Sequence, residues 1–128
     1  MALALDSVTF DCADPMRVAA FWAEALAFDL DPESDAEGAR VRDPSGRSDS
    51  LYFQPVPEGK VVKNRLHIDL RPSGSMAAEV ERLIGLGATI RGRVDEEGSF
   101  WTVMLDPEGN ELCVLRGPED GWPGYAEA

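Results

Sequence analysis

The chain is poor in three residue types that carry chemistry: one histidine, two cysteines and two lysines among 128 residues. Basic residues as a whole are scarce, with 12 Lys and Arg against 24 Asp and Glu, a net charge of −12. Nothing here would neutralise a row of phosphates or dock on an anionic lipid surface, so nucleic-acid and membrane partners are not expected. No run of apolar residues approaches the roughly 18 needed to span a bilayer. Residues 1–6 are too short and uncharged for a signal peptide. The two thiols, Cys12 and Cys113, sit in strand-like segments and are expected to be free, as in a cytoplasmic protein, rather than a disulfide.

What remains is ordinary for a globular protein: 44% hydrophobic and 28% charged residues. A chain of this length can bury about two-thirds of its unfolded surface in one domain.

The lone histidine, His67, lies in Arg65-Leu66-His67-Ile68-Asp69-Leu70-Arg71. Leu66, Ile68 and Leu70 alternate with His67, Asp69 and Arg71, a period of two that predicts a strand with one buried face. An imidazole, a carboxylate and a guanidinium in a row suit the wall of a polar cavity. Just upstream, Lys60, Lys63 and Arg65 form either an anion-attracting lip or a solvated loop.

Taken in order, Leu5–Cys12 alternates as a strand. Asp14-Pro15 then opens a helix over residues 15–26, with Val18, Phe21, Trp22, Ala25 and Leu26 as its apolar stripe. Short strands are expected at 28–31, 39–42 and 51–56, the last closed by Pro55 and Pro57 at a strand end or edge. After His67 the programme restarts. Ser75 caps a helix to residue 86, striped by Met76, Val80, Leu83 and Ile84 and stopped by Gly87. Strands follow at 88–94, 99–105 and 111–116, then a tail, 117–128, rich in glycine, proline and acid, whose Trp122 and Tyr125 could fold back on the body.

Ser7 falls on His67, Asp11 on Arg71, Leu26 on Leu86 and Leu30 on Ile90, a constant offset of 60. The turns Asp43-Pro44-Ser45-Gly46 and Asp106-Pro107-Glu108-Gly109 also match. A period repeated twice is a duplication, not a solenoid. Each copy, about 5–56 and 65–116, reads strand, helix, strand, strand, strand. The fold class is α+β: one domain over 1–116, made of two βαβββ units.

Three stretches carry a family resemblance: Asp11-Cys12-Ala13-Asp14-Pro15 with Phe21-Trp22, then Lys63 to Leu70, then Asp106-Pro107-Glu108-Gly109-Asn110-Glu111-Leu112-Cys113-Val114-Leu115. Together they resemble the glyoxalase-like subgroup of the vicinal oxygen chelate superfamily, which includes glyoxalase I, extradiol dioxygenases and the bleomycin and fosfomycin resistance proteins. The resemblance covers residues 5–116. It implies a mixed curved sheet forming a cup, a small-molecule ligand and a homodimer.

In enzymes of that superfamily a divalent metal is held by residues of the first and last strand of each unit. Carried over by position, those sites are Ser7, Gln54, His67 and Cys113. Only His67 is of the usual type. Gln54 and Cys113 can ligate, so the implied metal set is His67, Gln54 and Cys113 around Zn, Ni, Mn or Fe. Both of the superfamily's carboxylate positions are lost, so glyoxalase I activity is not expected. Glu111 and Asp69, two residues from Cys113 and His67 on the same faces, could stand in as catalytic base. Against that, Asp69 could simply pair with Arg71 or Arg65, and Glu111 could cap its turn.

Tyr52 shares a face with Gln54. Phe100 and Trp101 are adjacent, so one should face the cavity. With Ser7 and Arg71, Tyr52 and Trp101 complete the expected ligand-binding set. Two functions follow from the resemblance. One is binding of a small organic molecule without turnover. The other is a metal-dependent lyase, isomerase or dioxygenase with a rearranged ligand set.

Overall fold

In the computed structural model, which describes residues 2–125, the chain divides into two compact units, Met1–Val61 and Val62–Ala128. The first unit holds β1 (Ser7–Cys12), α1 (Pro15–Leu26), β2 (Asp29–Leu30), β3 (Ala39–Arg42) and β4 (Ser50–Pro55). The second holds β5 (Ile68–Leu70), α2 (Met76–Leu86), β6 (Thr89–Glu96), β7 (Ser99–Leu105) and β8 (Glu111–Leu115), then a 3-10 turn at Pro118–Asp120. Both sheets are mixed and share one topology. The orders are β1-β4-β3-β2 and β5-β8-β7-β6, with the first and last strand of each unit parallel and the other pairs antiparallel.

Local chemistry explains the helices. The Asp14 carboxylate accepts from the Arg17 amide at 3.2 Å, and Pro15 supplies a preset φ at the first helical position. Ser75 caps α2 the same way through the Ala78 amide. Gly87, at φ 117°, ends α2 in the left-handed region that glycine enters without a Cβ penalty. At the matching position of the first unit, α1 ends on Ala27 at φ 55°.

Period-two alternation sets the cores. In the first unit Val18, Phe21 and Trp22 of α1 pack on Val41, Leu51 and Phe53, all buried. Phe10 joins them, with its ring 5.5 Å from Trp22 and 5.1 Å from Phe53. In the second unit Met76, Val80 and Leu83 of α2 share the core with Met104, Leu112 and Val114. Ile84, expected in that stripe, is 39% exposed.

The His67 strand is shorter than its alternation predicts, Ile68–Leu70 rather than 65–71. The reason is its partner. Only Leu112, Cys113 and Val114 of β8 are paired with it, in parallel, and just upstream of β8 the chain turns through Asp106–Asn110. Residues 65–67 therefore have no ladder to join, and Leu66 is exposed instead of buried. Pro55 closes an interior strand, opposite Cys12 of β1, rather than blunting an edge.

Candidate functional site in the second unit

One face of the second sheet packs on α2, and the other carries the polar residues. From β5 and its flanks come His67, Asp69 and Arg71, from β7 Ser99, Trp101 and Val103, and from β8 Glu111, Cys113 and Leu115. These line a cavity of about 400 Å³ together with Lys63 and Phe100. The alternation that sends Ile68, Leu70, Met104, Leu112 and Val114 towards the helix necessarily sends their neighbours here. Trp101 follows that rule. Phe100 breaks it, lining the same cavity near the hairpin end while Arg93 lies 4.7 Å over its ring.

The loop before His67 is held by the turn before β8. Asp106 is 4% exposed, and its Oδ1 accepts from the amides of Glu108 and Asn110 at 2.8 and 2.9 Å. Asn110 Oδ1 in turn accepts from Asn64 Nδ2 at 2.9 Å, and Glu111 Oε1 accepts from the Asn64 amide at 2.8 Å. Glu111 is thus a buried acceptor that anchors the approach to His67. That engagement counts against it as a free base.

Asp69 pairs with neither arginine. His67 Nε2 lies 3.2 Å from Asp69 Oδ1. Cys113 stands directly across the ladder from Asp69. Ligand atoms of His67, Asp69 and Cys113 all lie within 4.8 Å of one another, and no other such group of three or more occurs among the described residues. Cys113 is buried while the other two are exposed. Burial first, and then the neighbouring Asp69 charge, pushes the Cys113 thiol up to about 11, so it is protonated at neutral pH.

Imidazole nitrogen, carboxylate oxygen and sulfur are the donor types that borderline cations such as Zn²⁺ take, and three ligands leave a position open. On that test the residues fit a divalent ion.

Arg71 is committed elsewhere. Its Nη1 donates to the Arg116 carbonyl at 2.7 Å, and its guanidinium lies 4.0 Å from the Trp122 ring. Its Nε is buried with no acceptor, which costs about 1–3 kcal/mol. Stacking on the indole offsets part of that. The described part of the tail, up to Tyr125, folds back on Arg71 through Trp122.

The remaining expected site residues belong to the first unit. Ser7 opens β1, and Tyr52 and Gln54 share a face of β4. Gln54 Nε2 donates to Asp11 Oδ1 at 2.8 Å. Tyr52 lies under Arg40, 4.9 Å from its ring centre, with its hydroxyl against Gly38, where a Cβ would collide. Sequence reading passed over Val103, Leu115 and Asn64. The first two were legible as same-face neighbours of Trp101 and Cys113. Asn64 was not, because its role depends on a turn 46 residues away.

Comparison with known proteins bears on this geometry. Residues 7–115 match the glyoxalase-like domain family. No curated protein matches the sequence significantly. Among solved structures, a glyoxalase/bleomycin resistance protein/dioxygenase family enzyme from Burkholderia phytofirmans PsJN superposes with a TM-score of 0.70 at 18% identity, covering 88% of this chain and 98% of that one. The fosfomycin resistance protein FosX from Mesorhizobium loti gives 0.68 at 14% identity, covering 91% and 94%. The bleomycin-binding protein of Streptomyces verticillus, complexed with copper(II)-bleomycin, gives 0.60 at 17% identity, covering 91% and 99%. At these identities the likeness establishes the fold alone. With its family match spanning both βαβββ units, the chain belongs to the glyoxalase-like domain family.

Proposed function

We propose that this protein binds a small organic molecule on the cavity face of the second sheet, without glyoxalase I turnover. The observation that carries the reading is the cavity itself: about 400 Å³, walled by Phe100, Trp101, Val103 and Leu115, with His67, Asp69 and Lys63 at its rim. Apolar walls with a few convergent polar groups, at this volume, are what small-molecule sites have in common. The aromatic walls suit a planar ligand, and the mixture of cation, carboxylate and imidazole suits one bearing several oxygens.

The test is a thermal-shift screen of catechols and aromatic carboxylic acids, run in EDTA. At least one compound should raise the melting temperature of the parent in a saturable way. Val103→Glu, which puts a carboxylate into the cavity, should abolish that rise. Shifts that are equal in parent and variant would contradict the reading. Assay with the glutathione–methylglyoxal adduct should show no turnover above buffer.

A second reading, a lyase, isomerase or dioxygenase dependent on a divalent cation, is favoured by the convergence of His67, Asp69 and Cys113. When bound, a cation would polarise a ligand oxygen as a Lewis acid. Asp69, about half exposed, would be the nearest group to accept a proton if it is not itself a ligand. The same proposal takes the protein as a cytoplasmic homodimer.

A further inference from the structure

By position in the superfamily, metal ligands would come from both units, with Gln54 of the first unit completing a set with His67 and Cys113. The structure points to a different set. We propose that the second unit by itself holds a zinc-class divalent cation through His67, Asp69 and Cys113, with Asp69 in the place that Gln54 would have taken.

Three observations carry this. The three ligand atoms already lie within 4.8 Å of one another. Ligands around one tetrahedral zinc, at bond lengths of about 2.0–2.3 Å, stand about 3.3–3.8 Å apart. Closing the group needs a movement of about 1 Å, and the exposed His67 and Asp69 side chains have the room to make it. Second, Asp69 and Cys113 face each other across the parallel β5–β8 ladder, so their backbones are fixed relative to one another. Third, Gln54 is engaged within its own unit, its amide donating to Asp11 at 2.8 Å.

The donor chemistry selects the ion. A thiolate, an imidazole and one carboxylate favour Zn²⁺ or Co²⁺ over Mn²⁺, Mg²⁺ or Ca²⁺, which take mostly oxygen. Two anionic donors and one neutral donor balance a dication. Binding breaks the direct His67–Asp69 contact, transfers the Cys113 proton to buffer and leaves a fourth position open towards the cavity walled by Trp101 and Val103. An oxygen of a bound ligand would occupy that position.

The inference rests on the cavity face being the working face, but not on an organic ligand being bound there. Failure of one can therefore be told from failure of the other, because the organic screen is run in EDTA.

The experiment is a cobalt(II) titration of chelator-treated protein. The parent should bind one Co²⁺ per chain, with a thiolate-to-cobalt charge-transfer band and intense tetrahedral d–d absorption, both removed by added Zn²⁺. Cys113→Ser should lose the charge-transfer band. His67→Ala and Asp69→Asn should each weaken cobalt binding about tenfold or more. Both alter exposed side chains, and circular dichroism checks that they remain folded. Gln54→Ala discriminates the two ligand sets and should leave band and affinity as in the parent. A parent without the band, a band of undiminished affinity in Asp69→Asn, or a band lost in Gln54→Ala would overturn the proposal.

Discussion

Cys113 shows how one residue's surroundings decide its chemistry. It lies on β8, a strand whose alternate residues form the core. The resulting burial, with Asp69 alongside, raises its pKa from 9.0 to about 11. Near neutral pH its thiolate fraction is therefore about a hundredfold below that of an ordinary thiol. In a Cys12→Ser background, which removes the other thiol, iodoacetamide should modify Cys113 at pH 8 about a hundredfold more slowly than it modifies free cysteine. Alkylation at the free-thiol rate would mean that the side chain is neither buried nor close to Asp69. The neighbours of Cys113 were legible in part from sequence. The alternation put His67 and Asp69 on one face, and the family resemblance put Cys113 with His67 in one ligand set. That Asp69 turns to His67 rather than to Arg71 was not legible, because Arg71 is taken by Arg116 and by Trp122, 51 positions along the chain.

At the scale of elements, the two halves provide an internal control. Ala27 and Gly87 end equivalent helices in the left-handed region, at φ 55° and φ 117°. An alanine there is strained by about 1 kcal/mol relative to glycine. Ala27→Gly should raise stability by up to about 1 kcal/mol in urea denaturation, while Gly87→Ala should lower it by a similar amount. No change in either would show that the helix ends relax at no cost.

The start of α2 carries a pH dependence. Asp120 Oδ2 accepts from the Gly117 amide at 2.8 Å and the Met76 amide at 2.7 Å, bonds that hold its carboxyl below the usual 3.8. A depressed acid adds stability above its unfolded pKa and loses it as pH falls through the folded value. Asp120→Asn should therefore melt below the parent at pH 7, with the gap closing below pH 3.8. A gap that is constant with pH would assign the effect to hydrogen bonding without charge. The helices were legible because caps, proline and apolar spacing are local signals. The length of β5 was not, since it depends on where β8 begins.

For the whole molecule, the duplication was readable from a constant offset, and both sheets repeat one strand order. Each sheet has two edge strands, β1 and β2 in one and β5 and the eight-residue β6 in the other. β6 is partly blunted by Arg91, Arg93, Asp95 and Glu96 and by the register shift between Ile90 and Gly92. β2 is only two residues long and carries Asp29, so it offers little edge to pair with. Unpaired edges favour assembly, and static light scattering at tens of micromolar should give the mass of a dimer. A mass near 13.9 kDa would contradict this.

If function resides on the cavity face of the second sheet, amide chemical-shift mapping of the metal-free protein, titrated with the compound that stabilises it most, will locate it there. Saturable shifts should concentrate in residues 63–71, 99–103 and 111–115, around the cavity wall. Shifts centred within residues 2–61, or scattered without saturation, would contradict that location.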